Sequence, residues 1–166
     1  MMQKILLISD THSYLDEKLF KYINTVDEVW HAGDIGALAL CQEIEKHKPL
    51  RAVYGNIDGQ DLRKTYPENL IFNIDKVKVF ITHIGGYPNR YNLEAKKIIE
   101  QERPNLFICG HSHILKIMYD KKYNLLHLNS GACGIHGFHQ VKTALRFAIE
   151  GSEIKNMEII ELGKRV

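Results

Sequence analysis

Five short motifs hold the side chains best suited to bind charge: Asp10-Thr11-His12, Gly33-Asp34, Gly55-Asn56-Ile57-Asp58, Thr82-His83 before Gly85-Gly86, and Gly110-His111-Ser112-His113. Asp10, His12, Asp34, Asn56, His83, His111 and His113 together offer carboxylate, imidazole and amide donors. Imidazole and carboxylate suit Mn, Fe, Co, Ni or Zn. Seven groups exceed what one tetrahedral zinc takes and suffice for two ions sharing one carboxylate. Two-metal sites hold their ions ~3.5–4 Å apart and clamp the attacking and leaving oxygens of a phosphoryl displacement. Two divalent ions set against Asp10, Asp34 and one hydroxide leave a single positive charge, which draws in an anionic ester.

Each motif alone is ordinary. Asn and Asp after a strand commonly serve turns, and a lone histidine is more often a satisfied polar residue than a ligand. Recurrence decides the matter, because each motif follows an expected strand. Lys4–Ser9, Val29–His31 and Leu50–Tyr54 are short apolar runs. Leu70–Ile74 and Val77–Ile81 flank Asp75-Lys76 as a hairpin. Leu106–Cys109 is a buried strand ended by Gly110. In open α/β sheets ligands gather outside the carboxyl ends of strands. Helical spacing links Leu15, Leu19, Tyr22, Ile23 and Val26, and helices are expected over Leu38–Lys46 and Leu93–Glu102. Strand-like segments fill the last third: Leu115–Tyr119, Leu125–Asn129, Thr143–Ile149 and Ile154–Ile160. A βαβαβ start followed by strands indicates a mixed sheet, or two packed sheets, with helices outside.

Composition excludes several classes. The chain has 166 residues, expected as one domain over 1–166, with 45% hydrophobic and 25% charged residues. A net charge of +2 asks for neither a nucleic acid nor a membrane surface. No run approaches the ~18 apolar residues of a membrane span. Ile5 to Ile8 is too short for a signal peptide, so a cytoplasmic location is expected. Cys41, Cys109 and Cys133 form no metal or disulfide pattern and read as buried or idle thiols. A homodimer is expected on frequency grounds alone.

The order D-x-H, G-D, G-N-x-D, x-H, G-H-x-H resembles the signature blocks of the calcineurin-like metallophosphoesterase superfamily. The chain's length and its block His31-Ala32-Gly33-Asp34-Ile35 make it most similar to the small YfcE-like phosphodiesterases of bacteria and archaea. That resemblance implies a four-layer αββα sandwich, two mixed β-sheets between helical layers. It implies one ion on Asp10, His12 and His113, a second on Asn56, His83 and His111, and Asp34 bridging both. A bridging hydroxide would attack phosphorus in line. Manganese is the first expectation for the metal, with Fe, Ni, Co, Zn or Mg as others. A small phosphodiester is the expected substrate. A phosphomonoesterase of the same superfamily, or a non-catalytic scaffold like the retromer subunit of this fold, is the alternative. Asp34, Asn56, His83 and His31 are the residues expected to carry catalysis, His31 by orienting a ligand or the nucleophile.

Two departures from the family pattern stand out. Ile57 occupies the place where many members carry a histidine that protonates the leaving group, and the turn Asn129-Ser130-Gly131 lacks the subgroup's proline. Other histidines are open to two readings. His31 is either an orienting group or a residue packed beside Trp30. His136 and His139 are either solvated loop residues, the plainer reading, or a phosphate contact and proton donor. His47 and His127 read as structural or surface residues. Asp58 is expected to hold its loop by hydrogen bonds rather than to touch metal.

Overall fold

The computed structural model describes residues 1–165. In chain order its elements are β1 (Gln3–Ile8), α1 (Leu19–Ile23), β2 (Glu28–His31), α2 (Leu38–Glu45), β3 (Leu50–Ala52), α3 (Gln60–Thr65), β4 (Asn69–Ile74), β5 (Val77–Thr82), β6 (Gly86–Tyr87), β7 (Arg90–Tyr91), α4 (Leu93–Glu102), β8 (Leu106–Ile108), β9 (Leu115–Asp120), β10 (Leu125–Ser130), β11 (Val141–Glu150) and β12 (Glu153–Lys164).

Two five-stranded sheets dominate, ordered β12-β11-β1-β2-β3 and β4-β5-β8-β10-β9. In the first, β1, β2 and β3 run parallel, β11 pairs antiparallel with β1, and β12 pairs antiparallel with β11. In the second, β5, β8 and β10 run parallel while β4 and β9 are antiparallel. Both sheets are thus mixed, and the fold is the α/β arrangement of two sheets flanked by helices.

Layering explains why β1 is apolar without alternation. Ile5 and Leu7 point into the core between the sheets, with Trp30, Val79, Ile81, Ile108 and Phe147. Leu6 and Ile8 point to the other face, with Leu19 and Ile23 of α1 and Leu40 and Ile44 of α2. Each such side chain contributes about 1.5–3 kcal/mol on full burial. On the far face of the second sheet, Phe80 and Phe107 pack under Ala95 and Ile99 of α4. Asn92 caps α4 by accepting from the Glu94 amide at 3.0 Å, and Arg103 ends it at φ 49°.

The hairpin β4–β5 forms around Asp75-Lys76 as expected, in the register Ile74↔Val77. Three elements depart from expectation. The helix expected from Leu15 to Val26 contracts to α1, because Asp16 accepts from the Lys18 amide and the entering turn closes through Leu19 N–H to Asp16 O. α3 and the small hairpin β6–β7 were not expected. Among the described residues no helix is long and apolar enough to cross a membrane.

Candidate metal centre

β1, β2 and β3 run side by side, with Ile8 opposite His31 and His31 opposite Ala52, so their carboxyl ends lie together. Backbone bonds then lace the loops across this edge. The Asp10 amide donates to Gly33 O at 3.0 Å, the His12 amide to Asp34 O at 3.0 Å, and the Gly110 amide to His83 O at 2.9 Å. Asp10, His12, Asp34, His111 and His113 all adopt positive φ, a region ordinary side chains rarely occupy. Backbone strain concentrated on the expected ligands is what an over-determined functional site shows.

Two clusters result. Asp10, His12 and His113 place one potential ligand atom each within 4.8 Å of the others, and Asp34, His83 and His111 do the same. His113 Nε2 is 3.2 Å from Asp10 Oδ1. Asn56 joins the second cluster, its Oδ1 lying 3.1 Å from His111 Nδ1. Asp34 lies between the clusters, with Oδ2 3.5 Å from His12 Nε2 and 3.2 Å from His83 Nε2. The structure therefore brings together all seven expected ligands.

Each carboxylate uses one oxygen to fix itself and presents the other. Asp10 Oδ2 accepts from the Ser9 hydroxyl at 2.6 Å and the His111 amide at 3.2 Å. Its Oδ1 is buried with no hydrogen-bond partner among the described residues. Asp34 Oδ1 accepts from the Ile57 amide at 3.1 Å, which leaves Oδ2 to the histidines. His12 Nε2 and His83 Nε2 are likewise buried and unpartnered.

His83 shows what the cluster requires. Its Nδ1 is 2.7 Å from Ala32 O, and a carbonyl can only accept, so Nδ1 carries the proton. Nε2 then turns a lone pair toward Asp34 Oδ2 and, at 3.8 Å, Asp10 Oδ1. Lone pair against carboxylate is repulsive unless a cation stands between them. Burial lowers the His83 pKa, but Asp34 and Asp10 outweigh it and the net shift is upward. Burial likewise pushes the two carboxyls up, yet His113 and His83 hold Asp10, and His83 holds Asp34, below the usual range. A divalent ion answers the same demand more strongly than a proton does, so the residues fit metal.

Around these ligands stands a supporting layer. Asp58 accepts from the amides of Ile35 at 3.1 Å, Gly36 at 2.8 Å and Gly55 at 2.8 Å, tying the β2 loop to the β3 loop. Asn129 donates to Gly110 O at 3.0 Å and accepts from the Gly131 amide at 2.9 Å, so the turn forms without the family's proline. Gly33 has φ +99°, and a Cβ there would fall 2.7 Å from His83 Nδ1. Sequence reading missed Arg63, which donates through Nε to Asp58 O at 2.6 Å and through Nη2 to Asn56 O at 3.2 Å. A single arginine in a polar helix gives no sequence signal.

His31 is fully buried and does not face the ligand cluster. Its Nδ1 accepts from the Gly33 amide at 3.1 Å, so Nε2 carries the proton to Thr11 Oγ1 at 2.9 Å. Thr11 passes its own proton to Ile35 O at 2.8 Å. Burial pulls the His31 pKa down to about 4, so the ring is neutral at pH 7. It braces the two loops that carry Asp10, His12 and Asp34, which is an orienting position. Trp30 packs instead in the core between the sheets, edge-on to Phe72 and Phe147.

The loop 134–140 leans on the first cluster. The exposed His136 ring lies 4.8 Å from the His12 ring, and His139 lies 5.2 Å from His113 while its Nε2 donates to Gly134 O at 2.7 Å. Cys41, Cys109 and Cys133 are buried and free, and burial raises their thiols to about 11, 12 and 12.

Residues 2–152 match the calcineurin-like phosphoesterase superfamily domain, and the chain belongs to that family. A probable metallophosphoesterase of Methanothermobacter thermautotrophicus is 29% identical over 112 residues, and the match spans 64% of this chain and 64% of that relative. The structure of an archaeal phosphodiesterase superposes with a TM-score of 0.74 at 25% identity, covering 95% of this chain and 99% of the other. Vacuolar protein sorting 29 of Cryptosporidium parvum shares the fold, with a TM-score of 0.73 at 16% identity over 98% and 99% of the two chains. Members of that superfamily generally use divalent metals, and this chain carries two groups of residues that could hold them.

Proposed function

We propose that this protein is a phosphodiesterase with two divalent ions, one on Asp10, His12 and His113 and one on Asn56, His83 and His111, with Asp34 contacting both. The observation that carries this reading is Asp34 Oδ2, within 3.5 Å of a histidine of each cluster. When bound, such ions supply Lewis-acid charge to the phosphoryl oxygens and ready a water for attack. The chain's own residues hold the geometry. The Ala32 carbonyl fixes the His83 ring, the Ile57 amide fixes Asp34, and Ser9 fixes Asp10. Manganese is the metal we would supply first.

The choice of diesters rests on Ile57. No imidazole stands there to protonate an alkoxide, and general-acid help is typically worth ~10²–10⁴ in rate. Its absence matters least for esters whose leaving group departs unassisted. The likeness to an archaeal phosphodiesterase supports the same choice.

The test is hydrolysis of a chromogenic diester and its matched monoester by metal-free protein with and without added Mn²⁺. Metal-dependent turnover of the diester in preference to the monoester supports the reading. A preference for the monoester, or turnover indifferent to metal, overturns it.

A further inference from the structure

Exposed apolar side chains recur beside the candidate ligands. Ile57 follows Asn56, Ile84 follows His83, and Ile114 follows His113, with exposures of 47%, 41% and 61%. Ile135 and Phe138 bracket His136, whose ring lies 4.8 Å from that of His12, and they are 46% and 97% exposed. Consecutive Cα atoms are about 3.8 Å apart, so the first three sit one residue's step from a ligand. Phe138 follows Gly137, and a Cβ on Gly137 would lie 2.1 Å from His113 Nδ1. Large exposed apolar groups thus stand on four separate loops that carry candidate ligands or adjoin them.

Local packing explains why these residues face outward but not why they are apolar. Their ligand neighbours are turned into the site, which leaves the next side chain to solvent. Serine or lysine would serve there at no cost. Large exposed apolar groups gathered on the loops of one site mark a place where something apolar binds. A cleft of about 330 Å³ is lined in part by Asn56, His83, Ile84 and Tyr54, a size at the lower end of ligand pockets. Of the charged groups on that wall, Arg63 and Glu68 are engaged by Tyr54, whose ring lies 4.6 Å from the Arg63 guanidinium and whose hydroxyl donates to Glu68 at 3.3 Å, while Glu94 pairs with Lys97.

We infer that these side chains receive the apolar alcohol group of the substrate, so that the preferred substrates are phosphodiesters bearing a large alkyl or aryl substituent. This rests on the phosphodiesterase reading above. The occupant is the ester's own substituent because these apolar groups stand on the loops that carry the candidate ligands, or on the His136 loop beside His12, and so flank the phosphoryl site. The hydrolysis is balanced: water adds its oxygen to phosphorus, one P–O ester bond breaks, and an alcohol and a phosphomonoester leave.

Methyl, hexyl and phenyl p-nitrophenyl phosphate share one leaving group and differ only in the retained substituent. With Mn²⁺-loaded protein, the hexyl and phenyl esters should exceed the methyl ester in kcat/KM by on the order of tenfold. Phe138→Ser and Ile114→Ser change exposed groups outside the ligand set. They should bring the ratio toward one by raising KM for the hexyl and phenyl esters. Calorimetric titration with monohexyl and monomethyl methylphosphonate should show the same preference without turnover. Equal kcat/KM across the three esters in the natural chain, or a preference that survives both substitutions, overturns the inference and leaves the phosphodiesterase reading standing. No hydrolysis of any of the three by loaded protein overturns both.

Discussion

Oδ2 of Asp34 lies 3.2 Å from Nε2 of His83, and the proton on the other nitrogen of that ring is held by Ala32 O. The pair thus faces carboxylate to lone pair, and His12 approaches the same oxygen at 3.5 Å. Asp34→Asn keeps the shape and removes the charge. It should reduce Mn²⁺ retained at both clusters and lower diester kcat by on the order of 10²-fold or more. Elemental analysis after removal of free metal, with steady-state kinetics, checks this, and unchanged occupancy would count against a shared carboxylate.

Arg63 holds the carbonyls of Asp58 and Asn56 and so fixes the loop that presents the Asn56 amide. Arg63→Ala should weaken metal binding by about 10–100-fold, the usual effect of losing a group that orients a ligand. Competition with a chelator measures it. Affinity equal to that of the natural chain would show that Asp58 alone, through its three amide contacts, suffices.

Acid should destabilise the fold in a defined window. His31 and His127 are buried, and burial lowers both to about 4 from 6.5. Between those values the unfolded chain binds more protons than the folded one, so stability falls as pH drops from 6.5 toward 4. Each ring contributes a loss on the order of a few kcal/mol once pH is below its folded value. Urea unfolding of metal-free protein at pH 7, 6 and 5 should show the decline, and His127→Phe should make it shallower. A flat profile would mean that neither ring is as dry as its surroundings indicate.

Ile57 presents its amide to Asp34 and an exposed side chain to solvent. Ile57→His leaves the amide contact in place and adds a proton donor beside Asn56. Activity on alkyl monoesters, which need that proton, should rise by about tenfold or more, while aryl diesters should change little. Assay of both classes on the two proteins at saturating Mn²⁺ decides it.

Much of this was legible in the chain because each strand is a short apolar run cut off by glycine or a polar turn. The helix over Leu93–Glu102 and the hairpin around Asp75-Lys76 form as spacing and turn residues direct. The grouping of the candidate ligands was legible for a related reason: a cluster at strand ends leaves its residues in sequence immediately after each strand. What escaped carries no such pattern. α3 buries only Leu62 in a polar segment, so no periodicity announces it. Arg63 acts on backbone oxygens, which leave no mark on the sequence. Which groups the His31 ring would hold was not legible either, because proximity in sequence to Asp34 does not say which way a strand-end ring turns.

The most direct test of the two-ion phosphodiesterase is a titration of metal-free protein with Mn²⁺, following bound metal and p-nitrophenyl diester hydrolysis in the same samples. The account predicts two ions per chain at saturation, diester turnover that reaches its maximum only when both are bound, and loss of both properties in Asp34→Asn. Saturation at one ion with full activity, or two bound ions and no hydrolysis of the diester, would contradict it.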